Sequence, residues 1–244
     1  VIPAPEIRVL SLSRRHRPSA RPRNQAELSL FRFPLKVTPP ADSGRSSALF
    51  ISEESENMSN QLNGKKVLII TSNTGIERDE LLKPLEALKG QGAAVTHASI
   101  EGGTAQLFLN DTDKDAVVTS DTKLAGLSAN DFDALVIPGG TVNADTLRQD
   151  SDAQKLVKAF ADAGKTVASI CHGPWLLIDA GVIKGKTLTS YPSVRTDLVN
   201  AGAANWVDAE VKECPANGWT LITSRTPDDL PAFNEAIAKA LLAG

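Results

Sequence analysis

Cysteine, histidine and methionine are among the scarce residues of this chain: two, three and one among 244. Two cysteines, Cys171 and Cys214, cannot build a disulfide framework, so a reducing, cytoplasmic compartment is expected. His16, His97 and His172 are scattered and fall into no CxxC or HExxH spacing, which argues against a zinc site. No apolar run approaches the roughly 18 residues of a membrane helix. Neither GxGxxG nor GxxxxGKS/T occurs, which disfavours dinucleotide and P-loop binding. The expectation is a protein with no metal, no cofactor and no membrane contact.

What is present divides near Met58. Residues 1–57 carry nine Lys/Arg against six Asp/Glu, including Arg14, Arg15, Arg17, Arg21 and Arg23, with several prolines and serines. They show no sustained hydrophobic period, so little apolar burial offsets their ordering entropy and disorder is expected. The remaining 17 basic and 23 acidic residues make the rest −6, against +3 for the tail. That balance disfavours nucleic acid as a partner of the domain. The chain opens on Val1, and Ser52 to Ser55 can be encoded by a purine-rich ribosome-binding sequence. Met58 is therefore expected as the start, with 58–244 as the domain. The alternatives are a transit-like segment or a basic regulatory arm.

From residue 65 onward, short apolar runs alternate with helical patterns. Residues 67–71, 94–99, 134–137 and 167–170 read as strands. Leu81, Leu82, Leu85 and Leu88 mark a helix over 79–91, and Leu156, Val157 and Phe160 another over 151–163. A third spans 173–180. A hairpin strand is expected at 116–119, and further strands at 188–189, 210–213 and 219–223. Thr226 as N-cap and Pro227 at the first position open a last helix to Leu242. Such alternation implies an α/β domain with a parallel sheet covered on both faces.

The stretch with most chemistry is 167–178. A buried strand ends at Ile170 and a helix begins within two residues, so Cys171 occupies a sharp turn flanked by the small residues Ser169 and Gly173. Ser-x-Cys-x-Gly is the sulfur analogue of a nucleophile elbow. A helix N-terminus favours thiolate over thiol. Pro138, Gly139 and Gly140 end a neighbouring strand, and the N–H groups of Gly140 and His172 could form an oxyanion hole. Glu77 and Glu80 follow the first strand at the same edge. A carboxyl group there would be pushed toward its protonated form and could donate a hydrogen bond to sulfur. The bland alternative is that Cys171 is a small buried hydrophobe and the glutamates decorate a helix start.

Residues 168–174 (Ala-Ser-Ile-Cys-His-Gly-Pro), 137–140 (Ile-Pro-Gly-Gly), 185–192, 200–203, 206–208 and 223–234 together resemble the PfpI family of the ThiJ/PfpI superfamily. The likeness covers essentially all of 65–242. It implies a flavodoxin-like three-layer sandwich, a mostly parallel sheet, and a homodimer or hexamer. Cys171 matches the nucleophile, His172 the adjacent histidine and Glu80 the acidic partner. The loop 72–76 is one residue longer than usual, which leaves Glu77 as an alternative to Glu80. Tyr191 matches a tyrosine near the pocket, with ordinary packing as the alternative, and Trp175 reads as core or pocket wall. In peptidase members a neighbouring subunit donates a glutamate. Asp145 stands at that place, shorter and on a longer loop, which weakens the peptidase reading.

The favoured expectation is a cofactor-free enzyme acting on small 2-oxoaldehydes or glycated substrates, a glyoxalase or deglycase using a Cys171 thiolate. Runner-up readings are an oligomeric cysteine peptidase and a redox-sensing or chaperone-like stress protein.

Overall fold

Strand β1 (Lys66–Thr71) carries Val67, Leu68, Ile69 and Ile70, all fully buried. Successive strand side chains point to opposite faces, so four apolar residues in a row demand cover on both sides. The computed structural model describes residues 61–244 and shows where that cover comes from. The basic segment 1–57 and the start at Met58 lie outside the described residues.

After β1 come β2 (Ile76–Glu77), α1 (Arg78–Gly90) and β3 (Ala94–Ser99). A hairpin of β4 (Thr104–Leu109) and β5 (Asp113–Thr119) leads to the short β6 (Thr122–Lys123). Next stand β7 (Ala134–Ile137), α2 (Thr141–Arg148), α3 (Ser151–Asp162), β8 (Thr166–Ile170) and α4 (Pro174–Asp179). The order closes with β9 (Thr187–Leu188), α5 (Arg195–Asn200), β10 (Asn205–Trp206), β11 (Val211–Cys214), β12 (Leu221–Ser224) and α6 (Leu230–Ala243).

Seven strands form one sheet in the order β11-β12-β8-β7-β1-β3-β6, parallel throughout except for β11 against β12. A second sheet is β2-β4-β5, and β9 pairs with β10. Leu68, Ile70, Leu135 and Ile137 pack with Leu147, Val157, Phe160 and Leu176 in one core layer. Val67, Ile69, Val136 and Ile170 pack with Leu81, Leu88, Phe233 and Ile237 in the other. Helices α2, α3 and α4 therefore cover one face and α1 and α6 the other. This is the parallel α/β arrangement expected from the residue pattern and the flavodoxin-like three-layer sandwich that the family resemblance implies. Among the described residues, no helix is long and apolar enough to cross a membrane.

Two local expectations are corrected. Residues 141–148 are not loop but α2, which Gly140 opens in a left-handed conformation (φ +87°). Thr226 makes no side-chain cap; a short 3-10 turn over Pro227–Asp229 intervenes, and α6 begins only at Leu230.

Candidate functional site

Strands β1, β7, β8 and β12 are adjacent and parallel, so the chain leaves all four at one edge of the sheet. In open α/β sheets that edge forms the ligand crevice. It gathers Glu77 and Glu80 after β1, Gly139 and Gly140 after β7, Cys171 and His172 after β8, and Thr226 to Asp228 after β12. Cys171, Glu77, Glu80 and Tyr191 line a cleft of about 340 Å³, together with Thr226, Pro227 and Asp228.

Cys171 has φ +61°, a left-handed conformation that costs a non-glycine residue roughly 1–2 kcal/mol. The surroundings hold it there. Its N–H donates to the Ser224 carbonyl at 3.1 Å, its carbonyl accepts the Tyr191 N–H at 2.9 Å, and Gly173 N–H bonds Ile170 O at 2.9 Å. Small neighbours are obligatory: a Cβ on Gly173 would stand 2.7 Å from Ser169 Oγ and 2.8 Å from the Ile137 carbonyl. The strand-to-elbow turn expected from Ser-x-Cys-x-Gly is thus realised in the backbone.

The two candidate glutamates occupy different positions. Glu80 is fully buried against the Cys171 side chain, and its Oε2 accepts the Gly139 N–H at 2.8 Å. Its Oε1 makes no hydrogen bond. Burial pushes the Glu80 carboxyl up to about 8, so it holds its proton at neutral pH. Glu77 does a different job. Its Oε2 accepts the Asp111 N–H at 3.1 Å, and burial raises its pKa as well. Gly139 passes between the two reacting candidates: a Cβ there would lie 2.6 Å from both Cys171 Cβ and Glu80 Oε2.

The expectation that a helix N-terminus makes Cys171 a ready thiolate needs correction. Cys171 is only 6 % exposed, and burial, followed by the Glu80 charge, pushes the thiol above its ordinary value. The N–H groups of Gly140 and His172 both donate to it and pull the other way. Protonation of Glu80 removes the second of the opposing causes. Cysteine and glutamate form a coupled pair in one dry pocket.

His172 is also buried, and burial lowers its pKa, so the imidazole is neutral. Its Nδ1 stands 3.1 Å from Cys171 Sγ and its Nε2 3.3 Å from Ser193 Oγ. Tyr191 stacks on the ring at 4.7 Å, which gives that tyrosine a place both in the cleft and behind the histidine. Trp175 lies outside the cleft. It packs on the other side of His172 at 5.1 Å and donates from Nε1 to Asp197 at 2.8 Å. Asp145 is exposed on α2, while the described chain gives His172 a serine partner.

Asp111, Asn143 and Ser193 at the site escape sequence reasoning. Asn110 and Asp111 (φ +52° and +63°) form the tip of the β4–β5 hairpin, closed by Thr112 N–H to Leu109 O at 3.2 Å, in the manner of a type I′ turn. The turn hangs Asp111 over the cleft, where its carboxylate accepts Thr141 N–H at 2.8 Å and Thr141 Oγ1–H at 2.7 Å. An Asn-Asp pair between β-rich runs was the available signal. Asn143 is fully buried and clamps the Pro138–Gly139 carbonyls (3.1 and 2.9 Å) while accepting Ser72 N–H at 2.7 Å. Ser193 is the third. Among the described residues, no group of three or more His, Cys, Asp and Glu side chains could hold a metal ion.

A parallel α/β sandwich with a left-handed cysteine elbow beside a buried carboxyl defines a class of flavodoxin-like cysteine proteins. The DJ-1/PfpI family model matches residues 65–240, and the chain belongs to that family. YraA of Bacillus subtilis, provisionally named a cysteine protease, is 41% identical over 170 residues, covering 70% of this chain and 94% of YraA. Deglycase PH1704 of Pyrococcus horikoshii is 40% identical over 177 residues, covering 72% and 99%. The crystal structure of Drosophila melanogaster DJ-1beta superposes with a TM-score of 0.65 at 32% identity, covering 74% of this chain and 91% of that one.

Proposed function

We propose that this protein is a cofactor-free cysteine enzyme acting on reactive carbonyls, as a glutathione-independent glyoxalase or a deglycase. The observation that carries the reading is the sulfur's setting: a strained elbow, two inward N–H donors and a buried carboxyl holding a proton. Cys171 gives its proton to His172 Nδ1, and the thiolate attacks the aldehyde carbon of a 2-oxoaldehyde. As the C–S bond forms, the carbonyl π pair moves to oxygen, facing the Gly140 and His172 N–H groups. Glu80 supplies the proton that makes this oxygen a hemithioacetal hydroxyl. The C1 proton then leaves to a base, Glu80 carboxylate or His172, and returns at C2 through an enediol. The product is a 2-hydroxyacyl thioester, which water hydrolyses to the hydroxy acid and free thiol. Aldehyde carbon is oxidised and ketone carbon reduced, so no external oxidant enters. The deglycase named among the relatives supports extending the same chemistry to carbonyl adducts on amines.

The test is lactate formation from methylglyoxal by the full chain. Activity is expected in the native protein and loss of at least about 10³-fold in Cys171→Ala. Equal rates in both end the proposal.

The 3.1 Å contact between Sγ and Nδ1 also supports a second reading, peptide hydrolysis by a Cys171–His172 dyad, in line with the protease name of YraA. It requires casein cleavage that disappears on alkylation of Cys171.

A further inference from the structure

We propose that the Cys171 cleft sorts its substrates by charge. It accepts uncharged carbonyl compounds and adducts whose amine or guanidinium stays positive, and it turns away those bearing a carboxylate or phosphate. Asp228 is the specificity-determining group at its mouth. The choice of natural substrate rests on the carbonyl reading above; the electrostatic filter concerns only what can approach the sulfur.

Four carboxyl side chains line the cleft, those of Glu77, Glu80, Asp111 and Asp228, and no lysine or arginine does. The arginines nearest in sequence face other partners. Arg78 pairs with Asp79 at 2.9 Å and Asp115 at 3.0 Å. Arg225 is held by Asp229 at 2.9 Å and Asp208 at 2.6 Å. The Asp111 charge is fixed in place by its two bonds from Thr141. Asp228 is exposed and lines the same cleft, so an entering molecule meets the acidic side chains of both Asp111 and Asp228. At the floor, Glu80 Oε1 is buried and has no hydrogen-bond partner; on the protonated carboxyl it is an O–H donor open to the carbonyl oxygen of a ligand. Near a surface, one carboxylate some 8 Å away slows an approaching anion about three- to fivefold, and two such groups about tenfold. Salt at about 0.3 M shortens the reach of that field to several ångströms.

Thiol alkylation of the full chain reads this filter without any turnover. Iodoacetamide is neutral, iodoacetate negative and 2-bromoethylamine positive. Their rates at Cys171, followed by mass of the Cys171 peptide, are each divided by the rate with a small neutral thiol. The expected order is cation, neutral, anion, with the iodoacetate-to-iodoacetamide ratio about tenfold below that of the free thiol at low salt. High salt should raise that ratio several-fold. Asp228→Asn should speed iodoacetate about three- to fivefold and leave iodoacetamide within twofold. A ratio equal to the free thiol's, or one indifferent to both salt and Asp228→Asn, overturns the filter. Turnover of methylglyoxal against glyoxylate is measured in parallel. If neither reacts while the alkylation order holds, the carbonyl reading fails and the filter stands. If methylglyoxal reacts and alkylation shows no charge order, the filter alone falls.

Discussion

Cys171 and Cys214 are equally hidden, each 6 % exposed, and they sit in opposite kinds of surroundings. Cys214 ends the antiparallel edge strand β11, where its sulfur accepts the Thr187 N–H at 3.3 Å. Its carbonyl, with those of Ala216 and Trp219, binds the ammonium of the fully buried Lys186, which also rests 3.5 Å above the Trp219 ring. Burial lowers that lysine to about 8, yet every one of its donors is spoken for. Cys171 instead occupies a left-handed turn, meets a histidine at 3.1 Å and adjoins a carboxyl group with a free oxygen. On the proposed function, degree of burial does not separate a structural thiol from a reacting one. Backbone conformation and the direction of nearby polar groups do.

The largest expected effect tests that contrast directly. Cys171→Ala should abolish lactate formation, whereas Cys214→Ala should keep the rate within about twofold and cost about 1 kcal/mol by urea unfolding. A large activity loss in the second variant would break the distinction. Gly140→Ala should come next. Its Cβ would fall 2.2 Å from the Gly75 carbonyl at φ +87°, and destabilisation of about 3 kcal/mol or more is expected in the same unfolding experiment.

Glu80→Gln should lower the rate about tenfold to a hundredfold, because the amide can donate a hydrogen bond but cannot cycle a proton. Its pH signature sharpens the comparison further. Folding raises the Glu80 pKa from 4.5 to about 8, so the folded state holds more proton than the unfolded one in that window. Native stability should therefore decline between pH 4.5 and about 8 relative to Glu80→Gln, with the contribution fully present below 4.5. Unfolding midpoints of both proteins at pH 5 and pH 8 check this; parallel slopes would refute it. Smallest of the set is Ser193→Ala. It removes the Nε2 partner of His172 and should change the rate about threefold, with a displaced pH profile for Cys171 alkylation and restoration in Ser193→Thr.

Much of the molecule is written in local pattern. The runs at 67–71, 94–99 and 134–137 announce strands because both faces of a parallel sheet are buried, and the sharp turn at Cys171 follows from the small residues around it. What escaped was short or dependent on distant partners. Helix α2 has eight residues and α5 six, too few for a clear period, and β4 is a six-residue strand set between Gly- and Asp-containing turns. Asp111 reaches the site only because the hairpin folds over residues 30 positions away. Asn143 and Ser193 act through contacts 71 and 21 positions distant. The choice between Glu77 and Glu80 likewise needed coordinates, since three residues of chain separate a group facing sulfur from one facing a turn.

Gly139 gives the experimenter an unusual handle. One methyl group added there would act as a wedge between thiol and carboxylic acid while leaving every reacting atom in the chain. If the fold absorbs the wedge, Gly139→Ala isolates the value of their partnership from the value of either member. Such a variant would keep its nucleophile, its acid and its imidazole, and lose only their conversation.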